Sequence, residues 1–543
     1  MNTILKTENL YAAGILKGFL VFFLFFFLFL FTSSLLPLTW DEGEVSRRSD
    51  EFPVKWSGTI NNEGHPQLPI ILAATGKFLL PEKFFSKKFR LRSISIFFVS
   101  ISFTVLLYRL RQEFNRTVAC FAVMSVLLIP RLFAVLQMAT WDSCFIASWI
   151  CCLAAFQIPF KNVGRAVIFG FCLGLAFSAK FTGFAIPIPF AIWAIIVLSL
   201  DKSLRKFVHL KHLIIVTIIS TATFILFNPP FWSNPFTGVH RFFLLNIYRE
   251  INIPIMFIGQ LYDLHHPLPF YNTIFWTIIT IPAGLFLFFI VGCCSILFGA
   301  IKCNEISESG LSRWRFGLLL FLNMIILLLV RALPGMPVHD GVRLFVGAYI
   351  FLGIIAGIGA AEIWQTKKIA GIFVTKKFFR QICTLIIFAV SLFNMFWYAP
   401  QWLSFYNFMV GGLSGATRIG MEPTYYWDGF DREVIDWLNA NTGKDELILF
   451  SKFSPDTFSI YRSDGILLPD FYAASESGNK DKIKAKRIRY YVTQNRSGLQ
   501  TNVDEYFKKH TKPVYIKTIR KGGIGAWNLG TVPIIEIYDI KNL

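Results

Sequence analysis

The sequence predicts a polytopic α-helical membrane protein of about eleven transmembrane helices followed by a small soluble α/β domain. Three observations predict it. Of 543 residues, 54% are hydrophobic, 60 are Phe and only 16% are charged, more apolar surface than one soluble core of that size can bury. Apolar stretches of about 20 residues, the length that crosses a hydrocarbon core as a helix, recur between Gly14 and Tyr398. Beyond Pro400 charges become frequent and apolar runs short, so residues 1–400 read as the membrane domain and 401–543 as the soluble one.

The first apolar run, Ile15 to Leu36, is longer than a signal-peptide core and no small-residue cleavage site follows it, so it reads as a retained span near 14–37. Further spans are predicted near 92–108, 117–133, 143–159, 164–180, 182–200, 212–228, 273–300, 315–331, 342–363 and 381–398. A net charge of +20 would point to nucleic acid in a soluble chain. Here the cations sit in short loops between apolar runs, among them Arg109, Arg111 and Arg116, and Lys202, Arg205, Lys206 and Lys211. That is the positive-inside pattern, and it makes membrane lipid rather than nucleic acid the partner.

One stretch runs against this count: Lys83, Lys87, Lys88, Arg90 and Arg92 precede the second span on the face predicted to lie outside. Pro69 to Leu80 is too short and too polar at Lys77 to reverse the parity by crossing, and reads as an amphipathic helix at the interface. The first loop, 39–91, then shares the extracytoplasmic face with residues 131–142, 229–272, 332–341 and the C-terminal domain. None of the nine Cys shows disulfide-framework or zinc spacing.

The polar motifs gather on that same face. The first span exits at Thr39-Trp40-Asp41-Glu42, and its loop continues to Gly64-His65-Pro66-Gln67-Leu68-Pro69. The third span is followed by Pro130-Arg131, and Thr140-Trp141-Asp142-Ser143 opens the fourth, where Asp142 also suits a helix N-cap. Lys180 stands at the break between two spans in GFCLGLAFSAKFTGFAIPIP. A charge there is costly unless its side chain snorkels to the headgroups or a phosphate answers it. Gly174 and Gly183 would let helix backbones approach closely around it.

Taken together these residues resemble the GT-C superfamily of membrane glycosyltransferases, in particular the protein O-mannosyltransferases of the family 39 type and their bacterial relatives, the aminoarabinose transferases. Asp41-Glu42 resembles that family's catalytic motif, His65-Pro66 its His-Pro-Pro-Leu stretch, and Arg131 with Asp142 its third motif. Gly174-Leu175-Ala176 with Lys180 and Gly183 looks like a further shared segment. So does Pro337-Val338-His339-Asp340-Gly341-Val342-Arg343, with Phe405-Tyr406-Asn407 and Glu422-Pro423-Thr424-Tyr425 after it. The departures are Gln67 in place of a second Pro after His65-Pro66, and a C-terminal domain unlike the repeat domains of the eukaryotic mannosyltransferases.

The resemblance implies an inverting transfer of a sugar from a polyprenyl-phosphate donor to a hydroxyl of a glycan, lipid or protein acceptor outside the cytoplasm. Asp41 is then the base, with Glu42 and Asp142 as further catalytic carboxylates. Lys180, Arg131 and Arg343 are candidates for the donor phosphate. His65, His339 and Asp340 are candidate substrate-site residues, the last two also readable as a charge pair holding a loop over the site. No cofactor is required, although Asp41 with Asp142 offers hard oxygen ligands to a divalent ion without completing a ligand set. The bacterial inner membrane is the expected location.

The C-terminal domain is expected to hold a helix over Asp431–Asn441 and strands over 446–450, 489–493, 513–518 and 532–538, with Lys480 to Arg489 a basic, solvated run. The rival classes are a secondary transporter, for which no internal repeat is visible, and a non-catalytic lipid-phosphate-binding protein.

Overall fold

Proline and capping residues punctuate the apolar runs, and the helices of the protein begin and end at them. The computed structural model describes residues 2–52, 64–160, 162–250, 252–301, 308–333, 335–365, 368–369, 372–373, 377–424, 429–473, 487–519 and 530–541. Tyr425 and residues 480–486 of the basic run lie outside them. The first helices are α1 (Asn2–Leu35), α2 (Trp40–Glu51), α3 (Leu68–Leu79), α4 (Lys87–Glu113), α5 (Arg116–Leu127), α6 (Pro130–Val135), α7 (Trp141–Ala155) and α8 (Val163–Ala179). Apolar helices continue over Pro187–Leu200, Leu210–Leu226, Asn272–Thr280, Ala283–Ile301, Glu308–Ala332, Ala348–Gln365 and Lys377–Tyr398.

Among the described residues six helices are long and apolar enough to cross a bilayer, and a bent pair adds a seventh if counted as one span. Every stretch predicted as a span carries a helix, but α5, α7, α8 and Leu210–Leu226 have only 12, 15, 17 and 17 residues. At 1.5 Å per residue these are about 18–26 Å long, short of a hydrocarbon core of about 30 Å. Two stretches predicted as single spans are broken, both at proline, which disfavours helical geometry in the residue before it. The stretch near 117–133 divides into α5 and α6 at Ile129, extended before Pro130. The stretch near 273–300 turns by 119° after Ile281, which is extended before Pro282.

The first loop is more ordered than its sequence predicts. The expected interfacial helix is α3, but α2, carrying Asp41 and Glu42, was hidden by its polar composition and lack of an apolar stripe. A capping interaction starts it: the Thr39 amide donates to Glu42 Oε2 at 3.0 Å. α8 packs closely on Leu210–Leu226, as the glycines predict. A Cβ at Gly174 would run into Thr223 and the Ser220 carbonyl, and one at Gly183 into the Ala176 carbonyl.

After Pro400 the chain forms a mixed five-stranded sheet with strands β1 (Leu447–Phe450), β2 (Asp470–Ala473), β3 (Ile488–Gln494), β4 (Pro513–Ile519) and β5 (Val532–Asp539), in the order β2-β1-β3-β5-β4. The β2-β1-β3 side is parallel and the β3-β5-β4 side antiparallel. The expected helix is Arg432–Asn441, with Asp431 accepting from the Glu433 and Val434 amides. β2 and the helices Pro455–Ser463 and Asn502–His510 were not anticipated. Pro455–Ser463 seats this layer on the α1–α2 junction. Thr457 Oγ1 donates to the Thr39 carbonyl at 3.0 Å, and Tyr461 Oη accepts from the Leu38 amide at 2.7 Å.

Replacing Gly174 by Val is expected to destabilise the purified protein by about 1–3 kcal/mol through overpacking. Gly164→Val, where a Cβ meets only Asn162 Oδ1 at 3.4 Å, should change little. Thermal unfolding in one detergent compares the two.

Candidate active site

Four separate helix ends and turns bring the predicted polar residues to one end of the bundle. Asp41 lies in the first turn of α2, Asp142 in the first turn of α7, Lys180 caps the C-terminus of α8, and Arg343 sits in the 3-10 turn Gly341–Phe345. Each helix end leaves backbone groups unpaired, so polar side chains collect there rather than in the apolar middle. Asp340 takes the left-handed conformation (φ 60°) that starts the 3-10 turn and aims Arg343 inward.

Arg343 is the junction. Its Nε donates to Asp142 Oδ2 at 2.9 Å, its Nη1 to Asp340 Oδ2 at 2.7 Å, and its Nη2 pairs with Asp41 Oδ2. Lys180 Nζ meets the other Asp142 oxygen at 2.5 Å. Arg496, just after β3, donates to Asp340 Oδ1 at 3.1 Å and to Glu422 Oε2 at 3.0 Å. Burial raises the Glu422 carboxyl, and Arg496 with the Gly498 and Met256 amides only partly offsets that. Lys180 has the most exposed side chain of the Asp41–Asp142–Lys180–Arg343 group, 19% against 5–15% for the rest.

Glu42 does not share this open position. Expected as a catalytic carboxylate, it is fully buried and saturated. Arg92 Nε and Nη2 donate to its two oxygens at 2.6 and 2.7 Å, and the Thr39 and Ala139 amides add 3.0 and 3.2 Å bonds. Burial would raise this carboxyl, but Arg92 and the amides outweigh it and hold it below the ordinary range. Arg92 also donates to the carbonyls of Ser33, Leu36 and Pro37 at 2.6–2.8 Å. The pair therefore clamps the end of α1 to α2, α4 and the turn before α7, and leaves no oxygen for a substrate.

Arg131 is also placed otherwise than expected. Its Nε donates to the Phe405 carbonyl at 3.0 Å and its guanidinium lies over the Tyr406 ring at 4.5 Å. Those contacts tie the break before α6 to the 405–406 segment.

His65 packs on Trp141 with ring centroids 4.7 Å apart, and Trp141 Nε1 donates to the Pro66 carbonyl at 3.0 Å. Burial, and then the cations Arg249, Arg48 and Lys180, hold its imidazole well below the ordinary value. Gln67 anchors this loop by donating its amide to Asn228 Oδ1 at 3.0 Å. His339 is buried beside Asp340 with its Nδ1 unpartnered. The expected His339–Asp340 charge pair is not formed, because both Asp340 oxygens are taken by arginines. Burial depresses His339 to about 4, against the opposing pull of Asp340.

A divalent ion at Asp41 and Asp142 would need the place between them, which the Arg343 guanidinium takes. Among the described residues no group of three His, Cys, Asp or Glu gathers in a metal-binding arrangement.

The apo crystal structure of ArnT from Cupriavidus metallidurans is similar to this chain at TM-score 0.52 and 12% identity, covering 97% of this chain and 98% of that one. The chain shares the fold of that structure. The family model "Dolichyl-phosphate-mannose-protein mannosyltransferase" matches residues 82–227. Two further structures are less similar, both at 12% identity. ArnT from Cupriavidus metallidurans bound to undecaprenyl phosphate has TM-score 0.49 over 97% of this chain and 98% of that one. The apo oligosaccharyltransferase of Archaeoglobus fulgidus has TM-score 0.43 over 85% and 66%. No curated protein matches the sequence. The family match contains Arg131, Asp142 and Lys180 but neither Asp41 nor Arg343, so the cluster closes only through residues outside the matched stretch.

Sequence reasoning missed Arg92, Glu422 and Arg496 as parts of the site's support. In sequence Arg92 reads as a topology signal, Glu422 lies in the 422–425 motif with no role of its own, and nothing local marks Arg496.

Two predictions follow from these environments. Arg92→Met strands a buried carboxylate and should cost about 3–5 kcal/mol; Arg92→Met with Glu42→Leu should recover part of it in the same unfolding assay. His339 binds its proton more weakly folded than unfolded, so stability is full above pH 6.5 and lost as pH falls toward 4. His339→Asn should flatten that loss by up to about 3 kcal/mol, read as melting temperature against pH.

Proposed function

We propose that the protein transfers a sugar from a polyprenyl-phosphate donor to an acceptor hydroxyl, with inversion, at the Asp41–Arg343–Asp142–Lys180 cluster. The observation that carries this reading is that an acid at the exit of α1 and the lysine ending α8 join one charge network at one end of the bundle, through Arg343 and Asp142. A lipid-linked sugar presents its scissile bond near the headgroup plane, where such a network stands ready for it.

In the proposed reaction the acceptor oxygen attacks the anomeric carbon from the face opposite the phosphate. The bond from that carbon to the phosphate oxygen breaks, the new glycosidic bond forms, and the acceptor's proton passes to Asp41. Positive charge grows on the sugar ring, next to carboxylates, and negative charge on the departing phosphate. Lys180 uses one of its three donors on Asp142 and has others to offer. Arg343 already bonds three carboxylates, so a phosphate that draws it away also frees an Asp41 oxygen to take the proton. Asp142 is then a positioning residue that aims both cations, Glu42 supports Asp41 from behind, and Arg343 takes the phosphate role expected of Arg131.

The acceptor, whether glycan, lipid or protein, lies outside the cytoplasm in this reading, and the protein in a bacterial inner membrane. Asp340 and Arg496 link the cluster to the sheet region, which supports a role for that region in closing over the acceptor.

Removing a well-aimed electrostatic partner costs about 2.7–4 kcal/mol, roughly 100- to 1000-fold in rate. Purified Asp41→Asn should lose at least that factor in turnover of a polyprenyl-phosphate sugar while still binding the carrier lipid. Lys180→Ala should weaken the carrier lipid as well. In cells lacking the protein, mass analysis should find the lipid-linked sugar accumulating and one sugar missing from a surface glycan, lipid or protein. Asp41→Asn turning over at the wild-type rate would sink the assignment, and solute transport without a glycosidic product would favour a transporter.

A further inference from the structure

A second concentration of positive charge lies at the far end of α4. Arg92, which holds Glu42, and Arg111 stand about 28 Å apart along that helix at 1.5 Å per residue, the thickness of a hydrocarbon core. Arg111 therefore sits in the headgroup layer opposite the active site. There α1, α4 and α5 enclose a cleft of about 380 Å³, lined by Lys17 and Leu20 from α1, Leu107, Tyr108 and Arg111 from α4, and Arg116 from α5. Among the described residues no carboxylate pairs with Lys17, Arg111 or Arg116. The acid nearest in sequence, Glu113, is held by Arg109 at 2.8 Å.

Gly18 stands opposite Tyr108, one of the residues that line the cleft. A Cβ there would meet only Tyr108 Oη, at 3.9 Å, so a larger side chain would grow into the space. Cations at the ends of spans ordinarily reach separately into the headgroups. These three come from three helices and converge on one concavity, with Leu20 exposed on the lipid side beside them. Basic pockets between transmembrane helices take anionic lipid headgroups, and the apolar wall suits an acyl chain.

We propose that this cleft binds an anionic phospholipid of the leaflet opposite the active site. Its phosphate lies among Lys17, Arg111 and Arg116 and takes a hydrogen bond from the Tyr108 hydroxyl, with an acyl chain along Leu20 and Leu107. The inference stands apart from the sugar-transfer reading and its test needs no turnover.

The full-length protein, released from bilayer discs holding equal phosphatidylglycerol and phosphatidylcholine, carries its retained lipids into a native mass spectrum. A preference for phosphatidylglycerol is expected, falling on the order of fivefold for each of Lys17→Gln, Arg111→Gln and Arg116→Gln. Gly18→Phe keeps every charge but fills the cleft, and should lose the retained lipid as well. Lys202→Gln with Arg205→Gln and Lys211→Gln removes three cations elsewhere and should leave the preference intact. The proposal is overturned if Lys17→Gln, Arg111→Gln and Arg116→Gln combined keep the preference, if Gly18→Phe retains the lipid, or if the control triple loses it equally, which would mark diffuse surface charge. Displacement of the lipid by millimolar inorganic phosphate would mark a free-anion site and overturn it too.

Discussion

The position of the proposed base rests on a neighbour that takes no part in the chemistry. Glu42 and Arg92 are both buried, and a carboxylate in that setting is tolerable only if its lone pairs are filled. The guanidinium fork, two backbone amides and the cap of α2 fill them. Because Arg92 also gathers the last carbonyls of α1, three helices and the turn before α7 meet at this pair. Asp41, one residue away, has nowhere else to point. Two adjacent acids in sequence thus divide the work: one is spent on holding the backbone, the other is left facing the cluster.

Arg343 performs the complementary task. One rigid, planar cation bonds three carboxylates carried by three separate segments, a geometry a lysine cannot reproduce. Lys180, flexible and more exposed, shares Asp142 with it. Such a network is poised, since an anion entering it can exchange for a carboxylate on either cation without leaving a charge unpaired. Through Asp340 and Arg496 the network reaches the mixed sheet, and Glu422, buried with its burial only partly compensated, sits at the join.

The two ends of α4 show how a membrane bundle spends its charges. At one end the arginine is enclosed and fully paired; at the other, cations that no carboxylate pairs among the described residues border a cleft. Low dielectric penalises an unpaired charge far more than water does, so cations lacking a protein partner belong at the headgroup layer, where lipid phosphates supply one.

Much of this chain was legible without coordinates, for one reason: lipid offers no hydrogen bonds, so the apolar runs must be helices. The helical stretches, the sheet region after Pro400 with four of its five strands, and the residues at helix ends all follow from local pattern. Asp41, Asp142, Lys180, Asp340 and Arg343 could be singled out because a charge or a cap beside an apolar run is conspicuous in one dimension. The packing decided what each of them touches. That Glu42 is support while Asp41 joins the cluster, that Arg131 leans on Tyr406, that Arg343 is the hub and that Arg496 arrives from far along the chain are facts of pairing across tens to hundreds of residues. Charge pairing depends on distances of a few ångströms between segments, and hydropathy along the chain carries no information about those distances.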